Sequence, residues 1–273
     1  MTPIDFDARF SRWLRDFLEE NQDSFTDVAQ VEALMPELYD RFVTSPADWL
    51  SGLAPAHYFD GLSVQALVNW ISQYEAEGVP VPELLLDTIA REGARARDAL
   101  IMLIADPQAS IPARMMAVNL LREMDQPPPT DLYIAWQIDR GLEDELADCA
   151  LEALEAAGET PVPEMLEALP QAGEAGQEAL LSVLSRYPGQ PGVYEALIRL
   201  FDAAPARAAA LAAYLGRLGD ERALPALVAR AKEEDLSYID YIELRSAIEA
   251  LGGEAPERDF EDDPAYRALS GTE

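Results

Sequence analysis

Residues 214–227 read YLGRLGDERALPAL, with a glycine and an aspartate set between two leucine-rich runs. Helix-forming residues fill 207–218 on the N-terminal side. Gly219 has no Cβ and can take the left-handed conformation that ends a helix, while Asp220 can cap the next helix by accepting from its exposed N–H groups. Pro225 falls early in that second helix, where a missing N–H does least harm. The stretch predicts two helices joined by about two residues and turned back against each other. The turn is punctuation, not a binding loop.

The unit recurs. With the leucine four residues before the turn as marker, Leu121, Leu154, Leu184, Leu215 and Leu251 form a series spaced by 33, 30, 31 and 36 residues. Ile89, with Gly93 in the turn position, is a weaker sixth member, and Asp125 and Pro188 replace the turn glycine in two units. Alanine lies four residues before three of the markers, at Ala117, Ala150 and Ala247, which puts small side chains where neighbouring helices approach. Prolines cluster at the next helix start, at 127–129, Pro161, Pro163, Pro191 and Pro225. A repeat of roughly 30 to 35 residues made of two short helices is the signature of an α-solenoid.

Leu215 to Leu227 follows the pattern L-G-x-L-G-D-x-x-A-x-x-x-L and resembles the HEAT-like repeat of the phycobilin-lyase type; ALEAAGETPVPEML, residues 153–166, is the next best match. The resemblance covers roughly residues 62–253. It implies an all-α, right-handed HEAT-like α-solenoid of five or six helix pairs. Residues 1–61 are expected to form a helical N-terminal cap and residues 254–273 an acidic C-terminal tail, in one continuous solenoid. Repeats of this kind serve scaffolds, adaptors, lyases and hydroxylases alike, so the resemblance carries a fold and not an activity.

Phe6, Phe10, Trp13, Leu14, Phe17 and Leu18 fall on one face of a first helix, and residues 25–43 read as a second. This aromatic face is expected to cover the end of the repeat stack, which would otherwise expose its core. Residues 46–63 mix Pro and Gly with Trp49, Leu53, Tyr58 and Phe59 and read as an ordered connection. Phe260, Tyr266 and Leu269 can dock the tail on the last repeat.

Composition excludes several chemistries. The chain has 273 residues, 51 acidic against 20 basic, for a formal net charge of −31. Such a chain is a poor ligand for DNA, RNA or anionic membranes, because those contacts require Lys and Arg against phosphates. No run is long and apolar enough to span a bilayer, and the first residues do not read as a secretory signal, so a soluble, cytoplasmic protein is expected. One cysteine, Cys149, permits no internal disulfide, and with one histidine, His57, it cannot supply the three or four ligands of a zinc site. A carboxylate-only Mg²⁺ or Ca²⁺ site stays open, but no run has the spacing of a calcium loop, and no metal, cofactor or catalytic residue is assigned. Cys149 shares a helix face with Leu146, Ala150, Ala153 and Leu154 and reads as a buried, inert thiol, and His57 as a residue of a polar turn. The di-iron hydroxylases of this repeat type need several His–Glu pairs, its DNA glycosylases a basic groove, and no motif here supports a bilin lyase.

One interval stands out. Residues 141–185 hold eleven acidic residues and no Lys or Arg. Glu145, Asp148, Glu152 and Glu155 are spaced by 3, 4 and 3 and form a ridge on one helix face; Glu174 and Glu178 form a similar ridge on a later helix. We expect a non-catalytic scaffold that binds a protein or peptide, with this ridge suited to a basic partner. A bilin-lyase-like enzyme or subunit and an acidic nucleic-acid mimic are the alternatives.

Overall fold

A computed structural model describes residues 2–22, 25, 28–234 and 236–270. Among them the chain is all-α, with 70% helix and no strand. It divides into two compact units, Met1–Pro128 and Pro129–Glu273.

The first unit contains α1 (Phe6–Glu20), α2 (Val28–Thr44), α3 (Val64–Glu77), α4 (Glu83–Arg91), α5 (Ala94–Ala105) and α6 (Ile111–Glu123). Asp5, Ser63 and Ser110 cap α1, α3 and α6 by accepting from the N–H of Ala8, Ala66 and Ala113. The start expected for the second helix lies partly outside the described residues. Along α1 the rings of Phe10, Trp13 and Phe17 stack in sequence, and Phe42 of α2 packs against the first two. Phe6 goes deepest, at 3% exposure, against Trp49, Tyr58 and Phe59. Those three rings belong to the connection, which is ordered by single 3₁₀ turns at Asp48–Leu50 and Pro55–His57. The backbone N–H of Ile4 donates to the Tyr74 hydroxyl of α3, and burial pushes that phenol up to about 12.

The second unit runs α7 (Thr130–Ile138), α8 (Glu145–Ala156), α9 (Val162–Ala168), α10 (Glu174–Leu184), α11 (Val193–Ala203), α12 (Ala208–Leu218), α13 (Leu224–Ala231), α14 (Tyr238–Ala250) and α15 (Pro264–Ser270). Gly219 closes α12 in the left-handed conformation (φ 74°), and the Asp220 carboxylate accepts from the Arg222 N–H to open a 3₁₀ turn that leads into α13. All the marker residues are buried: Ile89, Leu121, Leu154, Leu184, Leu215 and Leu251. Gly93 and Gly158 take positive φ, as does Asp125 (φ 52°), whose short polar side chain tolerates the region that glycine would have filled.

Three expectations need correction. After α10 the left-handed residue is Gly189, not Pro188, whose ring holds φ negative. After α14 it is Gly252, so the residue four before the turn is the fully buried Ile248, not Leu251. The helices joined at Gly219 are not each other's main partners: α12 packs chiefly against α14 and α11, and α13 leans on α14. Side-chain size decides this. A Cβ on Gly216 would lie 2.9 Å from the Cα of Ala247, so two small residues let α12 and α14 almost touch. Of the alanines read as packing positions, Ala247 therefore sits at such an approach.

The excess of arginine, 19 against the single Lys232, has a structural use. Arg97 donates to the carbonyl of Pro127, Arg114 to Ile104, Arg217 to Ser182 and Arg230 to Pro205. A planar guanidinium reaches the orphan carbonyls of a neighbouring helix end or loop while keeping donors for a carboxylate, which an ammonium does less well. Arg222 does several things at once: it pairs with Asp220 and Glu195 and lies 3.9 Å over the Tyr194 ring.

The C-terminal segment, expected to be an acidic tail, is docked on α14. Phe260 is buried against Tyr238 and Tyr241, and Tyr266 meets Tyr238 edge-on. The side chain of Leu269 lies outside the described residues.

Candidate functional site

Within the second unit, α8, α10 and the start of α12 enclose an open groove of about 520 Å³. One wall is positioned from α7, which does not itself line the groove. Gln137 is fully buried, and its amide N–H₂ donates to the carbonyls of Tyr133 and, at 2.8 Å, Ala147 of α8. Its own amide oxygen accepts from Arg140 at 3.0 Å. The Arg140 side chain is thereby held at 7% exposure and directed at Asp148 on the first turns of α8, with which it forms an ion pair. A buried amide that satisfies three partners is a stiff mount for a charge.

The opposite wall comes from the next helix pair. Arg207, in the 3₁₀ turn before α12, grips Glu178 of α10 through Nε, 3.1 Å from each carboxylate oxygen, and through a second nitrogen. The Glu178 side chain is 18% exposed and that of Arg207 57%, so the acid is the more enclosed partner. The Glu178 bonds raise Arg207 above its ordinary value, and burial, with Glu178 second, raises the Tyr214 phenol that lines the same groove. Leu151 and Leu142 complete the lining, Leu142 standing 88% exposed on the loop before α8.

The structure thus places the six ridge residues as follows. Glu145, Asp148, Glu152 and Glu155 share one side of α8, and Glu174 and Glu178 lie on α10, with Asp148 and Glu178 meeting across the groove. Glu145 and Glu174 sit in the first turns of their helices, where the dipole favours a negative charge. Bases from outside the interval relieve three of these acids. Arg140 neutralises Asp148, Arg186 neutralises Glu155 at 2.6 Å, and Arg207 neutralises Glu178. Counting charges inside the interval missed bases that folding brings in from its edges and from beyond it. Spacing held the missing signal: Arg186 follows Glu155 by 31 residues and Arg207 follows Glu178 by 29, close to the spacing of the marker residues.

Neither of the other candidates lines this groove. His57 sits on an exposed turn of the first unit with Nδ1 2.7 Å from Asp60 Oδ2. Cys149 is buried on the inner face of α8, as expected. Among the described residues no three or more His, Cys, Asp or Glu side chains converge as metal ligands would, and no helix is long and apolar enough to cross a membrane.

Tyr133, on α7 behind the groove, is fully buried, and its hydroxyl has no hydrogen-bond partner among the described residues. Burial, with the neighbouring Cys149 second, raises the phenol far above its ordinary value. A buried hydroxyl without a partner costs about 1–3 kcal/mol, so Tyr133→Phe is expected to leave stability unchanged or raise it by about 1 kcal/mol. Urea unfolding checks this, and a clear loss of stability would show that the hydroxyl is satisfied in solution.

No family model, curated protein or solved structure matches this chain.

Proposed function

We propose that the chain is a non-catalytic scaffold whose second unit is built from HEAT-like helix pairs of a right-handed solenoid, and that the α8–α10 groove binds a basic protein or peptide. Supporting the repeat reading are the buried markers and the left-handed residues at the turns. Supporting the binding reading is one observation above the rest: Glu178 is largely enclosed, yet its partner is the mostly exposed Arg207. Arg207 neutralises Glu178 in the free protein, so a basic partner has to compete for the carboxylate; being mostly exposed, Arg207 can turn out to solvent and leave the enclosed acid to an incoming guanidinium or ammonium group. The exposed Leu142 beside it offers contact to the apolar stem of a basic side chain. A single thiol and no disulfide suit a reducing compartment, and we place its work in the cytoplasm.

The test uses a fluorescein-labelled nona-arginine peptide as probe. Asp148→Asn with Glu178→Gln removes two groove charges, while Glu164→Gln with Glu167→Gln removes two from the exposed side of α9. The groove variant is expected to lose about tenfold in affinity and to flatten the salt dependence, and the α9 variant to change by less than about twofold. Equal losses in both would mean that only the overall field of the acidic chain attracts the probe.

A further inference from the structure

The C-terminal segment packs on α14, without helix or strand from Gly253 to Phe260, and is held there by side chains with distinct tasks. Arg258 donates to the carbonyls of Ala231, Glu233 and Glu234, at and just beyond the end of α13, and covers the Phe260 ring at 5.0 Å. Phe260 fills the space between Tyr238 and Tyr241, with ring centroids 5.3 and 4.9 Å away. The Tyr241 hydroxyl donates to the Pro256 carbonyl at 2.7 Å. Asp263 does double duty: one oxygen accepts from the Tyr238 N–H at the start of α14, and the other accepts from Ala265 and Tyr266 at the start of α15. The segment therefore presents Arg, Phe and Asp at 258, 260 and 263 to a complementary set of carbonyls, aromatic rings and a helix N-terminus.

Apart from the Ala265 and Tyr266 N–H groups, which belong to the tail itself, the receiving groups lie on α13, α14 and the link between them, and none of these depends on the tail being part of the same chain. The connection to the tail is short. Gly253 is fixed, since a Cβ there would come within 2.6 Å of Leu224, and only Glu254 and Ala255 separate it from the anchored Pro256. Over so short a tether the tail meets its own α14 at an effective concentration in the millimolar range, which shuts out a competitor while it stays docked.

We infer that the face formed by the end of α13 and the N-terminal half of α14 is a docking groove for an Arg-x-Phe-x-x-Asp segment, latched by the chain's own residues 256–263 and open to the same segment of a second copy once the latch is released. The tail in place shows which chemistry the face accepts: a guanidinium on helix-end carbonyls, a ring between two tyrosines, and a carboxylate on a helix N-terminus.

The experiment uses the full-length protein and a fluorescein-labelled synthetic peptide of residues 254–270. Phe260→Ala removes the buried ring and is expected to release the tail, seen as faster tryptic cleavage after Arg258 and Arg267. The peptide is then expected to bind the Phe260→Ala protein at least about tenfold more tightly than the wild type, and a peptide carrying Arg258→Ala to lose about tenfold. A second full-length variant, Arg258→Ala with Asp263→Asn, removes the polar anchors and is read in the same way through cleavage after Arg267. If the tail is released in either variant and the peptide still fails to bind, the face is only covered and does not dock a second copy. If cleavage is unchanged in both, the segment is a fixed part of the fold and the latch is ruled out.

Discussion

Gly176→Ala is expected to destabilise the second unit by about 3 kcal/mol, because the added methyl has nowhere to go. A Cβ at that position would lie 2.1 Å from the carbonyl oxygen of Gln137, a backbone atom at the end of α7 that cannot rotate aside. α10 and α7 approach this closely only because residue 176 has no side chain. Gly173, three residues earlier, is the control: a Cβ there meets nothing within 4 Å and its φ of −64° suits alanine. Gly173→Ala should cost less than about 1 kcal/mol, chiefly through the poorer N-cap. The effect reaches the groove as well. Gln137 holds Arg140 against Asp148, so forcing α7 away from α10 is expected to weaken nona-arginine binding along with stability. Urea unfolding of the two variants side by side checks the first claim, and similar midpoints for both would mean that the helices are farther apart than described.

Leu215→Ala should have an effect of the same order. Leu215 is fully buried on α12, four residues before the left-handed Gly219, and its removal leaves a cavity in the core around α12. Buried Leu→Ala changes cost about 2.7–5 kcal/mol, depending on how far the neighbours collapse. Leu142→Ala removes the same atoms from a side chain that is 88% exposed, so stability should stay within about 0.5 kcal/mol. The two variants separate fold from site: the first is expected to lower the unfolding midpoint, the second to weaken the probe only.

What could be read from the sequence was what depends on neighbours along the chain. The turn at Gly219 and Asp220, the unusual backbone of Asp125 and the inward face shared by Cys149, Leu146 and Ala150 follow from local chemistry and helical spacing. Choice of packing partner was not legible. A two-residue turn suggests that α12 and α13 lie together, yet the pairing of Gly216 with Ala247 makes α14 the closer neighbour, and that depends on residues about 30 apart fitting one another. The charge partners of the ridge acids were not legible for a related reason. Charge patterning along one helix shows no base beside the ridge acids, whereas Arg186 and Arg207 reach Glu155 and Glu178 from about 30 residues further along the chain. The two wall acids that meet across the groove, Asp148 and Glu178, were in view, but Gln137, which mounts Arg140, was not. A lone glutamine in an apolar helix carries no signal of burial until the helix beside it is known.

The groove is best tested by where a bound probe protects the backbone. Hydrogen–deuterium exchange on the wild-type protein, with and without nona-arginine, reports opening and contact along the whole chain. Slowed exchange confined to residues 139–156 and 174–184, and lost in the Asp148→Asn, Glu178→Gln variant, is the predicted result. Protection spread evenly over the acidic helices, or confined to the first unit, would contradict it.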